Sequence, residues 1–173
     1  MVVNVSCPQY FAKVKRKDDG FTFTAFTATA FLAMEKILVV DGHSVIYATD
    51  WLLKVHNDHP ESGREALVRE MSEFQNMTSF LVVLVFDGKG HTRGKKGGTQ
   101  KDILTMYSRS NETADRVIER IAVQQAAKHD VQVVSNDRMV LDSCSVSGAF
   151  VMSVTAMWEL IDNAVSSVKK QYR

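Results

Sequence analysis

The sequence predicts an α/β fold, a three-layer α/β/α sandwich around a central, mainly parallel sheet. From residue 34 onward, short apolar segments of strand length alternate with longer segments of helical spacing. One of the apolar segments, Phe80–Phe86 (FLVVLVF), is hydrophobic throughout, which is typical of a parallel strand covered on both faces. Such an alternation builds right-handed βαβ units, with the helices in two layers around the sheet.

The first half of the domain is predicted to hold two strands separated by two helices. Lys36–Val40 (KILVV) is a short apolar run that ends at Asp41-Gly42, and Phe80–Phe86 likewise ends at Asp87-Gly88. Between them, apolar residues recur at helical spacing over 45–55 and 63–77. The buried face of the second helix is expected to carry Ala66, Leu67, Met71 and Phe74.

The second half continues the alternation after a loop rich in glycine and lysine. The expected elements are a strand near 103–107, a helix from Asn111 to about His129, a strand over 131–134, a helix near 138–144, a strand near 149–152 and a helix over 155–169. The long helix is expected to face the core with Val117, Ile118, Ile121 and Ala122. Four other side chains are assigned to packing: Met139, Met157, Trp51 and Trp158.

Residues 1–33 are interpreted as an extension outside the domain, which comprises residues 34–173. The extension contains a basic cluster at 13–17 and then a Thr/Phe alternation from Phe21 to Phe31. We expect it to be disordered or to result from an alternative start codon. Two other interpretations stay open: a transit peptide, because the segment is rich in Thr and poor in acids, and a hairpin or edge strand, because its pattern has period two.

The composition excludes several classes of protein. The 173 residues include 21 Lys+Arg and 20 Asp+Glu, so the chain is not a general polycation. Its two cysteines, Cys7 and Cys144, form no CxxC motif, which argues against a cysteine-based zinc site and favours a reducing compartment. No apolar run approaches about 18 residues, the length of a membrane span. We therefore expect a cytoplasmic protein without a membrane partner, or an organellar one if residues 1–33 are a transit peptide.

Acidic residues follow the ends of three predicted strands. Asp41 and Asp87 come directly after a strand, and Asp137 follows the third after a Ser-Asn step; Glu112 and Asp115 open the long helix. The carboxyl ends of parallel strands meet at one edge of a sheet, so these carboxylates are expected to converge. Clustered like charges repel one another unless a cation lies among them, and oxygen ligands alone favour Mg²⁺ or Mn²⁺. A carboxylate-bound ion of this kind suits attack on a phosphodiester.

Each acid also has a simpler structural interpretation. Asp-Gly after a strand is commonly a turn, which applies to Asp41 and Asp87 alike. Glu112 can stabilise a helix dipole, and Asp137 can cap a helix. We favour a shared metal site because acids recur at four corresponding places in the predicted fold.

The segments that carry these acids resemble the YacP-type NYN domain, a branch of the PIN-like nuclease superfamily. The matching segments are VVDGHSVIY at 39–47, VVLVFDG at 82–88, YSRSNETADRVIER at 107–120 and VQVVSND at 131–137. The resemblance implies a metal-dependent endoribonuclease of PIN-like fold, with catalysis and metal binding by Asp41, Asp87, Asp115 and Asp137 and with Glu112 close by. The family includes a ribosome-associated mRNA endonuclease of Gram-positive bacteria, so RNA and the ribosome are the implied partners.

One departure from the family pattern is His43-Ser44, where the family more often has Tyr-Asn. Ser44 can still hydrogen-bond a carboxylate or a phosphate. The loop from Gly88 to Lys101 has five glycines and no acid, and we interpret its cations as a clamp on the RNA backbone, with a solvated surface loop as the alternative. The predicted RNA-binding residues are Ser44, Arg64, Lys89, Arg93, Lys95, Lys96 and Lys101; for Arg64 a surface role is equally open.

Two functions from different classes follow from these residues. The first is a Mg²⁺- or Mn²⁺-dependent ribonuclease that uses no small-molecule cofactor. The alternative is a noncatalytic NYN module that binds RNA or the ribosome. The carboxylates favour the nuclease, because binding a polyanion gains nothing from a cluster of acids.

Overall fold

The structure is a computed structural model that describes residues 35–88, 103–108 and 111–171. Within these ranges the strands are β1 (Lys36–Asp41), β2 (Phe80–Phe86), β3 (Leu104–Tyr107), β4 (Asp130–Val134) and β5 (Phe150–Met152). The helices are α1 (Gly42–Ala48), α2 (Asp50–Asp58), α3 (Pro60–Met77), α4 (Ala114–Gln125), α5 (Arg138–Val146) and α6 (Val154–Gln171). The predictions for residues 1–33 and for most of the lysine-rich loop lie outside the described residues.

The sheet has the strand order β3-β2-β1-β4-β5, with β1 in the middle. All four neighbouring pairs are parallel. Val40 pairs with Leu84 of β2 and with Val134 of β4, so these three strands end at nearly the same level. The carboxyl ends of the central strands therefore form one continuous edge.

Helices cover both faces of this sheet, which confirms the predicted three-layer α/β/α sandwich. Alternate residues of β1 point to opposite faces. Leu38 and Val40 join the core beneath α1, α2, α3 and α6, whereas Ile37 and Val39 join the core beneath α4 and α5. Both faces of β1 are buried, as is typical of a central strand in a parallel sheet.

The predicted core faces of the long helices are largely confirmed. The buried apolar residues of α3 are Ala66, Leu67, Met71 and Phe74. The prediction for Met139 was wrong, because this side chain is 81% exposed whereas Met157 is fully buried. Met139 lies in the first turn of α5, and that helix faces the sheet with Val140 and Cys144, which are spaced i, i+4.

A single predicted helix over 45–55 is instead two helices, α1 and α2, which meet at Thr49. Thr49 is extended, with φ −121° and ψ 106°. Its hydroxyl accepts a hydrogen bond from the Trp158 indole of α6 at 3.0 Å, a tertiary contact that helical periodicity does not reveal. Trp158 packs against the core as predicted, but Trp51 is substantially exposed. Over the residues described, no helix is long and apolar enough to cross a membrane.

Candidate active site

The carboxyl ends of β1, β2 and β4 and the first turn of α4 surround one open cleft of ≈ 410 Å³. All four aspartates selected from the sequence line it: Asp41, Asp87, Asp115 and Asp137. The remaining lining residues are His43, Ser44, Tyr47, Ala48 and Asn136. The predicted convergence of these aspartates is thus a feature of the fold, since parallel strands deliver their following residues to the same edge.

Asp41 is the most deeply placed of these carboxylates. It is the last residue of β1 and is 6% exposed. Its Oδ1 accepts the backbone N–H of Ser44 at 3.1 Å and so caps α1, while Oδ2 accepts the Ser135 hydroxyl at 2.9 Å. Both oxygens of Asp41 are therefore held in a fixed orientation.

Ser135 and Ser44 connect the ends of β1 and β4. The Ser135 Oγ also accepts the backbone N–H of Asp137 at 3.0 Å and lies 3.1 Å from the Ser44 Oγ. The Ser44 Oγ in turn accepts the N–H of Asn136 at 3.3 Å. Ser44, predicted as an RNA contact, therefore has a structural role at the cleft, where it holds the start of α1 against the turn after β4.

Asp87 links β2 to the neighbouring elements. Its Oδ1 accepts the Ser108 hydroxyl at 3.1 Å and the backbone N–H of Ala114, the first residue of α4, at 2.6 Å. Its own N–H donates to Nδ1 of His43 at 3.3 Å. These bonds fix the position of Asp87, although its side chain remains exposed to the cleft.

Asp137 and Asp115 complete the group. Asp137 caps α5, because its Oδ1 accepts the N–H of Met139 at 2.7 Å. Asp115 lies in the first turn of α4. Burial and then the charges of Asp41, Asp87 and Asp137 raise the pKa of Asp115, so the other three carboxylates act on Asp115 electrostatically.

Every one of these aspartates is also close to a helix N-terminus, of α1, α4 or α5. The positive end of a helix dipole favours nearby negative charge. Asp137 therefore both caps a helix and joins the cluster, two interpretations that the sequence left as alternatives. Asp41, for which the sequence offered a turn as the alternative, likewise caps a helix and joins the cluster. Helix N-termini help to hold a cluster of carboxylates that would otherwise repel one another.

Glu112 does not join this group. The helix starts at Ala114 behind the cap residue Thr113, so Glu112 precedes it and does not share a helical face with Asp115. Its carboxylate instead pairs with Arg120. The prediction that Glu112 opens the long helix together with Asp115 was wrong, because the helix begins only after the cap residue Thr113.

The cleft offers only carboxylate, hydroxyl and amide oxygens beside one imidazole, a donor set that suits a hard divalent cation such as Mg²⁺ or Mn²⁺. In the parts of the chain that the structure describes, no three His, Cys, Asp or Glu side chains are placed to hold one ion together. Mg²⁺ commonly keeps several waters and uses only one or two carboxylates. The residues present therefore fit a partly hydrated ion.

One wall of the cleft is aromatic, with His43 and Tyr47 among its lining residues. His43 stacks on Tyr47, and its ring meets Phe86 edge to face. Burial lowers the pKa of His43, an effect opposed by the negative charges of Asp87 and Asp41 and reinforced by His56 and by Arg64. Arg64 thus lies near enough to act on His43, while the other predicted RNA-binding cations, Lys89 to Lys101, fall outside the described residues.

Two serines that position aspartates were not selected from the sequence. Ser135 and Ser108 are both buried, and they hydrogen-bond Asp41 and Asp87 respectively. Each directly follows a strand, Ser135 after β4 and Ser108 after β3. Their position directly after a strand is the same signal that identifies the aspartates, and it applies to any polar residue at a strand end.

This fold and sequence match known proteins. A family model described as the YacP-like NYN domain matches residues 38–173. The protein YacP of Bacillus subtilis (strain 168), which is described as uncharacterized, is 34% identical over 86 residues, 50% of this chain and 51% of that protein. The alignment thus spans about half of that relative's length.

Two crystal structures of Rae1 (YacP) from Bacillus subtilis are similar to this structure. One has a TM-score of 0.62 at 27% identity, covering 79% of each chain. The other, of a point mutant, has a TM-score of 0.63 at 26% identity and covers 78% of this chain and 79% of that one. Their α/β fold agrees with the five-stranded parallel sheet found here. With the family model extending over most of the described domain, the chain belongs to the YacP-like NYN domain family.

Proposed function

We propose that this protein is a Mg²⁺- or Mn²⁺-dependent endoribonuclease that cleaves phosphodiester bonds of RNA, with mRNA in a ribosome-associated setting as its target. The observation that carries the proposal is the convergence of Asp41, Asp87, Asp115 and Asp137 on one cleft. Membership of the YacP-like NYN family supports a nuclease-type module.

The aspartates differ in how freely they can meet a cation. Asp41 uses both oxygens within the protein, and Asp87 and Asp137 each use Oδ1. Asp115 and the Oδ2 atoms of Asp87 and Asp137 are the groups best placed to bind an ion directly. Asp41 then supplies negative charge and a rigid frame at the base of the cleft.

A bound divalent ion would supply an activated water and charge stabilisation at the phosphate. The chain's own contribution is to fix the carboxylates before substrate arrives, since Ser135, Ser108 and the helix N-termini hold them by hydrogen bonds. Such preorganisation removes the need to reorient polar groups during the reaction.

A noncatalytic module that binds RNA or the ribosome is the second candidate. It is favoured by the absence, in the described ranges, of three ligands placed around one ion, and by the capping bonds that satisfy several carboxylate oxygens. A cluster of acids nonetheless opposes simple binding of RNA, because both carry negative charge. The two candidates differ in whether the chain turns over RNA.

The test compares cleavage of end-labelled RNA by wild type and by Asp115→Asn, with Mn²⁺, with Mg²⁺ and with chelator. Asp115→Asn is the cleanest variant, because the described structure shows no hydrogen bond to this carboxylate that the amide would break. Asp162→Asn, an exposed acid of α6 away from the cleft, is the matched control. We expect metal-dependent cleavage by wild type and the control, and a loss of at least tenfold in Asp115→Asn.

Cleavage that survives both the chelator and Asp115→Asn would contradict the proposal and point to a contaminating nuclease. If wild type does not cleave free RNA, the same series of variants and metal conditions is repeated with ribosomes that translate a defined mRNA. If that series also leaves the mRNA intact while the protein binds it, the noncatalytic candidate is correct.

A further inference from the structure

Tyr47 stands out in the wall of the aspartate cleft because it is a large aromatic residue left open to solvent. It is 59% exposed, although it lines the same cleft as Asp41 and Asp115. The strand-end aspartates account for the metal chemistry of the proposed function, but they give no role to this side chain.

Two histidines pack against the ring of Tyr47. It stacks on His43 with centroids 5.8 Å apart and an interplanar angle of 19°, and it meets His56 edge to face at 5.8 Å. The His43 and His56 centroids are 6.3 Å apart, so the three rings form a nearly equilateral triangle. Because 59% of Tyr47 is exposed, part of its ring stays open to solvent beside these two contacts.

The supporting histidines are themselves fixed by packing. His43 contacts the fully buried Phe86 and accepts the N–H of Asp87. His56 lies against Gly63 of α3, where a Cβ would come within 2.7 Å of the His56 Cβ and 2.8 Å of its Cα. Glycine thus allows α3 to approach α2 closely enough to support the rings, and Tyr47 is presented as a rigid, open aromatic surface.

We propose that the solvent-exposed ring of Tyr47 is a nucleobase subsite, on which a base next to the scissile phosphate of single-stranded RNA stacks. This inference rests on the proposed function and adds a substrate contact to it. A phosphate held at the aspartates carries its own nucleosides, so a flat aromatic surface in the same cleft is within reach of a neighbouring base.

Stacking explains the features of this site better than hydrogen-bonded recognition of one base would. Every base has a π face, and stacking on an aromatic side chain tolerates any sequence. The subsite would therefore select unpaired RNA, whose bases can leave the helical stack, over duplex RNA. A modest preference for purines, which stack over a larger area, is expected at one position next to the cut.

The experiment uses the full chain and a short single-stranded RNA with one defined cleavage site. Cleavage efficiency, kcat/KM, is measured for wild type, Tyr47→Ala, Tyr47→Phe and Phe150→Ala. Phe150 is an exposed aromatic residue of β5 outside the cleft and serves as the matched control. We expect Tyr47→Ala to lose about 5- to 150-fold, the range for one lost base stack, Tyr47→Phe to recover most of it, and Phe150→Ala to match wild type.

A second series uses RNAs in which one nucleotide in turn is abasic. At one position the abasic substitution should lower the kcat/KM of wild type by the same factor as Tyr47→Ala does. On that RNA the kcat/KM of Tyr47→Ala should not fall any further. Binding is read independently from 2-aminopurine placed at that position, whose fluorescence wild type and Tyr47→Phe should quench and Tyr47→Ala should not.

The failures can be told apart. If wild type neither cleaves nor binds RNA, the proposed function and the subsite both fail. If wild type cleaves RNA and Tyr47→Ala has the same kcat/KM, the subsite alone is wrong. The subsite is also wrong if Tyr47→Ala lowers kcat/KM by the same factor on every abasic substrate, and Tyr47 then has another role. Equal melting temperatures of the variants show that losses do not come from unfolding.

Discussion

Asp115 illustrates how a single residue in this cleft balances stability against function. Its carboxylate lies in a partly buried position among three other aspartates, and these surroundings raise its pKa. A raised pKa means that ionisation is less favourable in the folded protein than in the unfolded chain. The α4 N-terminus favours the charge but does not reverse the direction of the shift.

Asp115→Asn is therefore expected to stabilise the metal-free protein at neutral pH, by about 0.5 kcal/mol because solvent screens a partly exposed charge. Below its ordinary pKa, Asp115 is protonated and does not destabilise the wild-type fold. The wild type loses this contribution to its free energy of unfolding as pH rises through the raised pKa. The free energy of unfolding should therefore be equal in Asp115→Asn and wild type below the ordinary pKa. It should become larger in Asp115→Asn as pH rises from the ordinary to the raised pKa. Chemical denaturation in chelator at several pH values measures it.

Asp162→Asn, on the surface of α6, is the control and should show no comparable gain. A less stable Asp115→Asn protein at neutral pH would contradict the repulsion between the aspartates. With saturating Mn²⁺ the order should reverse, because the ion stabilises only a folded protein that can bind it.

At the scale of the elements, glycine follows aspartate at the ends of two strands for different physical reasons. Gly88, after β2, has φ +112°, a backbone conformation that side chains rarely adopt. Gly42 is the first residue of α1 and is buried against the ring of Phe86. Glycine there is required by close packing, since it lets Asp41 cap a helix that begins directly at the end of the strand.

Gly42→Ala should consequently destabilise the protein, by about 1–3 kcal/mol, because the added methyl overlaps the buried Phe86 ring. Urea unfolding of Gly42→Ala, Phe86→Leu and the double variant measures the cost. We expect the double variant to be less destabilised than the sum of the single changes, since the smaller side chain makes room. Strict additivity would show that the ring is not what Gly42 avoids.

The same elements show how far local sequence predicts this fold. The five strands and the faces of α3 and α4 follow from runs and periodicities of apolar residues, which depend only on neighbours in sequence. The break at Thr49 does not, because a hydrogen bond from Trp158, 109 residues away, accompanies it. The four aspartates could be found because parallel strands end together, whereas the roles of Ser135 and Tyr47 required the geometry of side chains.

At the scale of the whole molecule, a net charge of +1 conceals a separation of charge. Four carboxylates line the cleft, and in the sequence that follows Asp87 and Gly88 all the charged residues of 89–101 are basic. An RNA strand that reaches the aspartates must overcome their repulsion. Lysine and arginine side chains that contact phosphates and release counterions would offset such repulsion.

Lys95 and Lys96 are predicted to supply two of these phosphate contacts. Their joint replacement by alanine should weaken RNA binding. It should also reduce the magnitude of the slope of log K against log salt by about 1.4, because each phosphate contact to a single strand contributes about 0.7. Fluorescence anisotropy at several KCl concentrations measures the slope. Lys169→Ala/Lys170→Ala, at the exposed end of α6, is the matched control because it removes the same net charge. If both double variants change the slope equally, overall charge rather than a clamp in this loop attracts RNA; an unchanged slope in Lys95→Ala/Lys96→Ala rejects the clamp outright.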